Sequence, residues 1–182
     1  MSTLKRWTVP MILLAWSAVA SAEAPPAFAK PYLTGDEEQV IVATDAFGPA
    51  TETSIVITSS LMKTGSFAGF ALVPDPAQKE GYRKLPLPAL PVGTNDGVMK
   101  VALAENLDKD PAKELVVELH VSRGTKTNTY ATYEYVVLDW NGKSFVRVAA
   151  LEKKLAAAMK KGRPDPTAPF EKDELRASLG VK

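Results

Sequence analysis

The sequence predicts a mainly β fold, an antiparallel sheet or sandwich followed by one or two C-terminal α-helices. Two observations carry this prediction. Short runs of β-branched and aromatic residues, separated by turns that contain Gly or Pro, recur between residues 38 and 148. From residue 149 onward the apolar residues change to helical spacing. The terminal helices place the chain at the margin of the α+β class.

The first half of the chain contains three strand candidates and one Pro-rich segment. Residues 38–44, 54–60 and 66–73 are rich in Val, Ile and Phe and are bounded by turn residues. Residues 84–91, KLPLPALP, include three Pro. Because Pro has no N–H to donate to a sheet, we expect this segment to be an edge strand or an extended connector.

The second half contains the most definite strand pattern. Strands are predicted at residues 98–103, 115–121, 130–140 and 143–148. In LVVELHV, residues 115–121, the odd positions are all apolar and are expected to share one face. Asn141-Gly142 favours a two-residue type I′ hairpin, because both central positions of that turn require positive φ.

Helical spacing defines the C-terminal elements. Leu151, Leu155 and Met159 recur at every fourth position, and Gly162 stands where a helix would end. A Pro-containing linker follows. Residues 170–180 predict a second short helix that ends at Gly180. We therefore divide residues 23–182 into an extended Pro-rich leader (23–35), a β-rich domain ending in a helix (36–162), and a linker with a short helix (163–182).

The N-terminus has the features of a secretory signal peptide. Lys5 and Arg6 precede an apolar run, residues 7–19, that is shorter than the roughly 20 residues of a membrane span. The sequence ASA, ending at Ala22, is a small-x-small cleavage site. We expect cleavage after Ala22 and a periplasmic or secreted location, in a bacterium. The alternative is an uncleaved anchor or a buried first helix.

Composition excludes several classes of protein. The full chain has 22 basic and 21 acidic residues, and cleavage removes Lys5 and Arg6, which leaves a formal net charge of about −1. A nucleic-acid binder needs a basic surface, so none is expected. The chain has no Cys, which excludes disulfides, thiol catalysis and a lipoprotein anchor. No later apolar run is long enough to span a membrane.

An acidic stretch precedes the strand at 115–121. Oxygen-bearing side chains fall at positions 1, 3, 5 and 9 of the segment NLDKDPAKE, namely Asn106, Asp108, Asp110 and Glu114. Calcium takes six to eight oxygen ligands, and a main-chain carbonyl at Ala112 could supply another. An EF-hand is a poor match, because that motif has Gly at position 6 and Glu at position 12. The alternative interpretation is an acidic β-turn without metal.

The segments VALAENLDKDPAKELVVEL and YVVLDWNGKSFVRV, within residues 98–148, resemble the calcium loop and downstream hairpin of FG-GAP and VCBS-type repeats. These modules build the β-propellers of integrin α-chains and occur in bacterial exported proteins. The resemblance implies one structural calcium ion held by Asn106, Asp108, Asp110 and Glu114 on a non-catalytic β-module. Asn106 stands in place of an Asp, and Pro111 in place of a Gly. A propeller needs several such repeats, and this chain carries one.

The leading hypothesis is therefore a non-catalytic, exported binding or envelope-accessory module, whose partner is an unidentified protein or glycan. A first alternative is a small periplasmic hydrolase that uses His120, the single His, with the neighbouring Glu118. The sequence has no G-x-S-x-G motif to support it. A second alternative is a subunit or inhibitor in an envelope complex. We assign no catalytic residue.

Overall fold

The computed structural model describes residues 27–33, 38–43, 48–49, 53–59, 67–90, 98–125, 128–161 and 167–181. Within these residues the chain forms two four-stranded antiparallel sheets, each with its strands in sequential order. The signal segment, its cleavage site and Gly162 lie outside the described residues. The mainly β fold with C-terminal helices is confirmed.

The first sheet contains strands β1 (Glu38–Ala43), β2 (Ser54–Ser59), β3 (Phe67–Pro74) and β4 (Tyr82–Pro86). The second contains β5 (Val98–Glu105), β6 (Glu114–Thr125), β7 (Asn128–Trp140) and β8 (Phe145–Arg147). Two helices follow, α1 (Ala149–Lys160) and α2 (Lys172–Leu179). Of the Pro-rich segment, expected as an edge strand or an extended connector, residues 84–86 belong to β4, which pairs only with β3 among the described strands and is therefore an edge strand.

The two sheets pack face to face around one apolar core. From the second sheet it contains the four odd positions of LVVELHV, which are Leu115, Val117, Leu119 and Val121. Ile55 and Ala71 face them from the first sheet, and both are fully buried. The predicted alternation of β6 is therefore confirmed, and it decides which face of this strand lies toward the other sheet.

The outer face of each sheet is covered by a different segment. On the first sheet, Phe28 and Tyr32 pack over Val56 and Leu72. We expected an extended leader here, but residues 27–33 form a turn and a short 3-10 helix. Pro31 is compatible with the start of a helix, and the aromatic side chains gain burial. On the second sheet the covering elements are α1 and α2.

The hairpin between β7 and β8 is confirmed, but its turn is longer than predicted. Trp140 pairs with Phe145, so four residues connect the strands and the partner strand shortens to three residues. Asn141 Oδ1 accepts hydrogen bonds from the main-chain N–H groups of Lys143 (3.0 Å) and Ser144 (2.9 Å). This side-chain capping competes with the two-residue turn that the Asn-Gly pair favours.

Candidate metal centre

Three acidic residues lie side by side across the second sheet where β5 ends, β6 begins and β7 ends. Glu105 of β5 is opposite Glu114 of β6. The register that pairs Leu115 with Leu138 then brings Glu114 opposite Asp139 of β7. Like charges directly opposite each other destabilise a sheet, so this acidic row (Glu105, Glu114 and Asp139) requires compensation. Arg176 of α2 compensates the charge of Glu105, because its Nε donates a hydrogen bond to both carboxylate oxygens.

The connection between β5 and β6 adds two more carboxylates to the other end of the row. Asp108 and Asp110 come from this loop, and each can place a carboxylate oxygen near those of Glu114 and Asp139. The four oxygens, one from each side chain, all lie within 4.8 Å of one another. We call these four residues the carboxylate cluster. It combines three residues from one local segment with one from a distant strand.

Hydrogen bonds within the loop hold these side chains in place. Asp108 Oδ1 accepts from the main-chain N–H of Asp110 (2.7 Å), and Asp110 Oδ1 accepts from that of Ala112 (2.8 Å). Glu114 Oε2 accepts from the N–H of Leu107. The donors lie on both sides of Pro111, which has no N–H of its own. The loop therefore closes without the Gly that the FG-GAP pattern places there.

Two oxygens of the carboxylate cluster remain unsatisfied. Glu114 is 1% exposed, and its Oε1 has no hydrogen-bond partner in the described structure. Asp139 Oδ1 is also buried and has no hydrogen-bond partner in the described structure. A buried carboxylate oxygen without a donor is costly, because it loses hydration and receives nothing in return. A bound cation in the carboxylate cluster would supply the counter-charge that both carboxylates lack.

Burial raises the pKa of Glu114 above its ordinary value; the Leu107 N–H opposes this change and the Asp108 charge adds to it. Burial is also the main reason that the pKa of Asp139 is raised, and the charges of Asp110 and Asp108 raise it further. Both shifts express mainly the cost of burying an ionised carboxylate, to which the neighbouring negative charges add. A cation at the centre would reverse their direction.

Three of the four residues predicted as metal ligands lie in the carboxylate cluster: Asp108, Asp110 and Glu114. The structure places Asn106 differently, because its Nδ2 donates to the main-chain carbonyl of Asp110 and closes the loop. Asp139 is the residue that sequence reasoning missed. The loop pattern does not contain it, and only the pairing of β6 with β7 reveals its position. It restores the negative charge that Asn106 lacks.

The oxygen separations are compatible with one hard divalent cation. Calcium–oxygen distances of about 2.3–2.6 Å place opposite ligands roughly 4.6–5.2 Å apart, whereas magnesium needs about 4.1 Å. The four oxygens lie within 4.8 Å of one another, a limit within which one hard cation of either kind can contact all four. Ligands that are all carboxylate oxygens also favour a hard cation over zinc or copper.

Glu118 and His120, the residues of the hydrolase hypothesis, have other partners. Glu118 is 4% exposed, and both of its oxygens are engaged. Oε1 lies 3.0 Å from Lys100 Nζ, and Oε2 accepts from the Tyr135 hydroxyl (2.9 Å). The imidazole of His120 stacks on Tyr133 with 4.8 Å between ring centroids. These contacts give both residues structural roles in the sheet.

Comparison with protein-family models, curated proteins and solved structures finds no significant match to this chain. The FG-GAP resemblance therefore stays a hypothesis that rests on the residues themselves. Neither helix among the described residues has the length and apolar character needed to cross a membrane.

Proposed function

We propose that this chain is an exported, non-catalytic β-module whose β5–β6 loop binds one structural calcium ion. The ligands are Asp108, Asp110, Glu114 and Asp139. The single observation that carries this proposal is the carboxylate cluster with its buried, unpartnered Glu114 Oε1. An acidic turn without metal would not bury a carboxylate oxygen that lacks a hydrogen-bond donor, since all of its carboxylates can face water.

The ion's role would be to join two separate parts of the second sheet. Asp108 and Asp110 belong to the β5–β6 loop, whereas Asp139 is the penultimate residue of β7. A cation between them neutralises the repulsion and fastens the loop to the β7–β8 hairpin. Because Asp139 is supplied by strand pairing, the complete site exists only in the folded chain. Calcium should then stabilise the folded state by mass action.

A binding or accessory role is favoured over catalysis by the contacts of Glu118. A general base needs a free carboxylate oxygen or a water path to its substrate. Both oxygens of Glu118 already have donors, and His120 packs on a tyrosine ring. The proposed partner is an envelope protein or a glycan.

The test is a thermal melt of the full chain without its signal segment, first in EDTA and then across a calcium series. At one hundred times Kd the ligand should add about 2.7 kcal/mol to the free energy of unfolding. Asp108→Ala/Asp110→Ala and, separately, Asp139→Asn should abolish this rise. Glu80→Gln is the matched control, since it removes one carboxylate from the exposed β3–β4 turn and should leave the calcium response intact.

Three results would count against the proposal. Absence of a calcium response up to millimolar concentration would make the loop an acidic turn. An unchanged response in Asp139→Asn would remove this residue from the site. Hydrolytic activity that is lost in His120→Ala, while the calcium response remains, would favour the enzyme hypothesis.

A further inference from the structure

We propose that cation binding at the carboxylate cluster is coupled to the docking of helix α2 on the second sheet. Each event then stabilises the other. This inference rests on the proposed calcium site and adds a regulatory property to it. The coupling is argued from an ion pair between α2 and the last residue of β5, and from an apolar layer that α2 shares with the β5–β6 loop.

The first contact is the ion pair between α2 and the last residue of β5. Arg176 Nε donates to Glu105 Oε1 at 2.8 Å and to Oε2 at 3.1 Å. The Glu105 side chain is 21% exposed, so the pair is partly shielded from water. Glu105 immediately precedes the β5–β6 loop, and it occupies the outer end of the acidic row. The ion pair therefore anchors the start of this loop to the helix.

The second contact passes through Leu107. Its N–H donates to Oε2 of the buried Glu114, a member of the carboxylate cluster. Its side chain packs into the apolar layer beneath the helices, which contains Leu175 and Leu179 of α2. A cation that fixes the orientation of Glu114 thereby fixes the main chain at Leu107, and with it part of the surface on which α2 rests.

Two positive groups, Arg176 and the proposed cation, hold the ends of β5, β6 and β7 in one arrangement. Arg176 compensates Glu105, and the cation compensates Glu114 and Asp139. If one of these positive charges is missing, the strand ends spread apart. The carboxylates that bind the other positive group then move out of position as well. By thermodynamic linkage, the factor by which α2 docking raises cation affinity equals the factor by which the cation raises docking.

Simple electrostatics predicts the opposite effect for a change at Arg176. Removal of a positive charge near a cation site should strengthen binding of the cation. Coupling through docking predicts weaker binding, because the strand ends lose their anchor. The direction in which cation affinity changes therefore distinguishes the two mechanisms. The measurement is made at an ionic strength of about 0.15 M, where charges more than about 8 Å apart are screened.

The first experiment is amide hydrogen exchange on the wild-type chain, in EDTA and in saturating calcium. Amides of residues 172–180 should exchange about fivefold more slowly with calcium, which is at the lower end of typical couplings. Amides of the exposed β3–β4 turn, which exchange without global unfolding, are the internal reference. Calcium binding without slower exchange in α2 would overturn the coupling and leave the proposed function intact.

The second experiment measures calcium affinity by titration calorimetry in variants of α2. Arg176→Gln should weaken binding about fivefold. Asp173→Asn is the matched control, because Asp173 is an exposed partner of Arg176 on the same helix and lies outside the acidic row. It should leave the affinity unchanged. Unchanged or tighter binding in Arg176→Gln would overturn the proposal.

Lys154→Gln provides a second variant, in case Arg176→Gln alters the fold. Lys154 Nζ donates to the carbonyl of Leu179 at 2.6 Å, so its loss loosens α2 from the side of α1 without touching the acidic row. It should also weaken calcium binding. Absence of any calcium binding by the wild-type chain would instead overturn the proposed function, and the coupling with it.

Discussion

The hydroxyl of Tyr135 connects the second sheet to the segment that leads into α2. It donates to Glu118 Oε2 at 2.9 Å and accepts from the main-chain N–H of Phe170 at 2.8 Å. Tyr135 is 7% exposed and Phe170 is 5% exposed, so neither partner can exchange this contact for bulk water. A polar network that is buried and satisfied in this way rigidifies the elements that it joins.

We predict that Tyr135→Phe lowers the free energy of unfolding by about 1–3 kcal/mol, the cost of leaving buried partners unsatisfied. Urea unfolding measures the change. Tyr133→Phe is the matched control, because it keeps the ring that stacks on His120 and lies in a half-buried position. Its effect should stay within about 0.5 kcal/mol. Equal effects in the two variants would show that the hydroxyl of Tyr135 has no special role.

At the scale of elements, Gly48, which lies between β1 and β2 in the chain, packs against Phe145 at the start of β8. Gly48 has φ +64°, and a Cβ at this position would lie 2.6 Å from Cζ of Phe145. Phe145 begins β8 and is 5% exposed, so its ring has little freedom to move. The contact joins a loop of the first sheet to a strand of the second.

We predict that Gly48→Ala is considerably more destabilising than Gly81→Ala. Both glycines have positive φ, which costs Ala about 1–2 kcal/mol. Only at Gly48 does the added methyl meet a buried ring, since nothing among the described residues lies within 4 Å of a Cβ at Gly81. Overpacking of this kind adds about 1–3 kcal/mol. Thermal or urea unfolding of the two variants measures the difference, and equal losses would contradict the close approach of Gly48 to Phe145.

The docking of α2 also predicts a pH dependence. The hydrogen bond from Arg176 lowers the pKa of Glu105. A carboxylate whose folded pKa lies below its unfolded value stabilises the fold above the unfolded pKa, and that contribution disappears as the pH falls through the folded pKa. The unfolded value for Glu is about 4.3.

We therefore expect the metal-free wild type to be more stable than Glu105→Gln at pH 7, and this difference to vanish as the pH is lowered below about 4. Urea unfolding at a series of pH values, with EDTA throughout, measures it. Glu80→Gln, in the exposed β3–β4 turn, should show no comparable change. A difference that grows as the pH falls would contradict the assigned role of the Arg176–Glu105 pair.

At the scale of the whole molecule, the described residues form four layers. The 27–33 segment covers the first sheet, the two sheets enclose the central core, and the helices cover the second sheet. The carboxylate cluster lies on the helix-covered side of the second sheet. The proposed cation site and the docked helices therefore lie on the same side of this sheet, away from the apolar interface between the sheets.

The export hypothesis gives a prediction that concerns the molecule as a whole. When it is expressed with its own N-terminus in a bacterium, the processed protein should begin at Glu23, because the small-x-small motif ends at Ala22. Intact-mass measurement of the periplasmic fraction and the medium identifies the cleavage point. Ala22→Arg should block processing at this position. A protein that retains residues 1–22 in the cytoplasm would contradict the export hypothesis.

The sequence by itself determined the features that depend on neighbouring residues. Alternation predicted which face of β6 enters the core, Gly180 predicted the end of α2, and the acidic spacing predicted three members of the carboxylate cluster. The prediction of a two-residue turn at Asn141-Gly142 was wrong, because the Asn141 side chain stabilises a longer loop.

Only the tertiary structure decided how distant residues combine. The register of β6 on β7 placed Asp139 beside Glu114, and the docking of α2 placed Arg176 on Glu105. Periodicity identifies the face on which a residue lies, but it contains no information about which residue of another strand lies opposite. That choice depends on the packing of all the strands and helices together. For this reason the loop could be recognised from the sequence, whereas the complete carboxylate cluster and its connection to α2 could not.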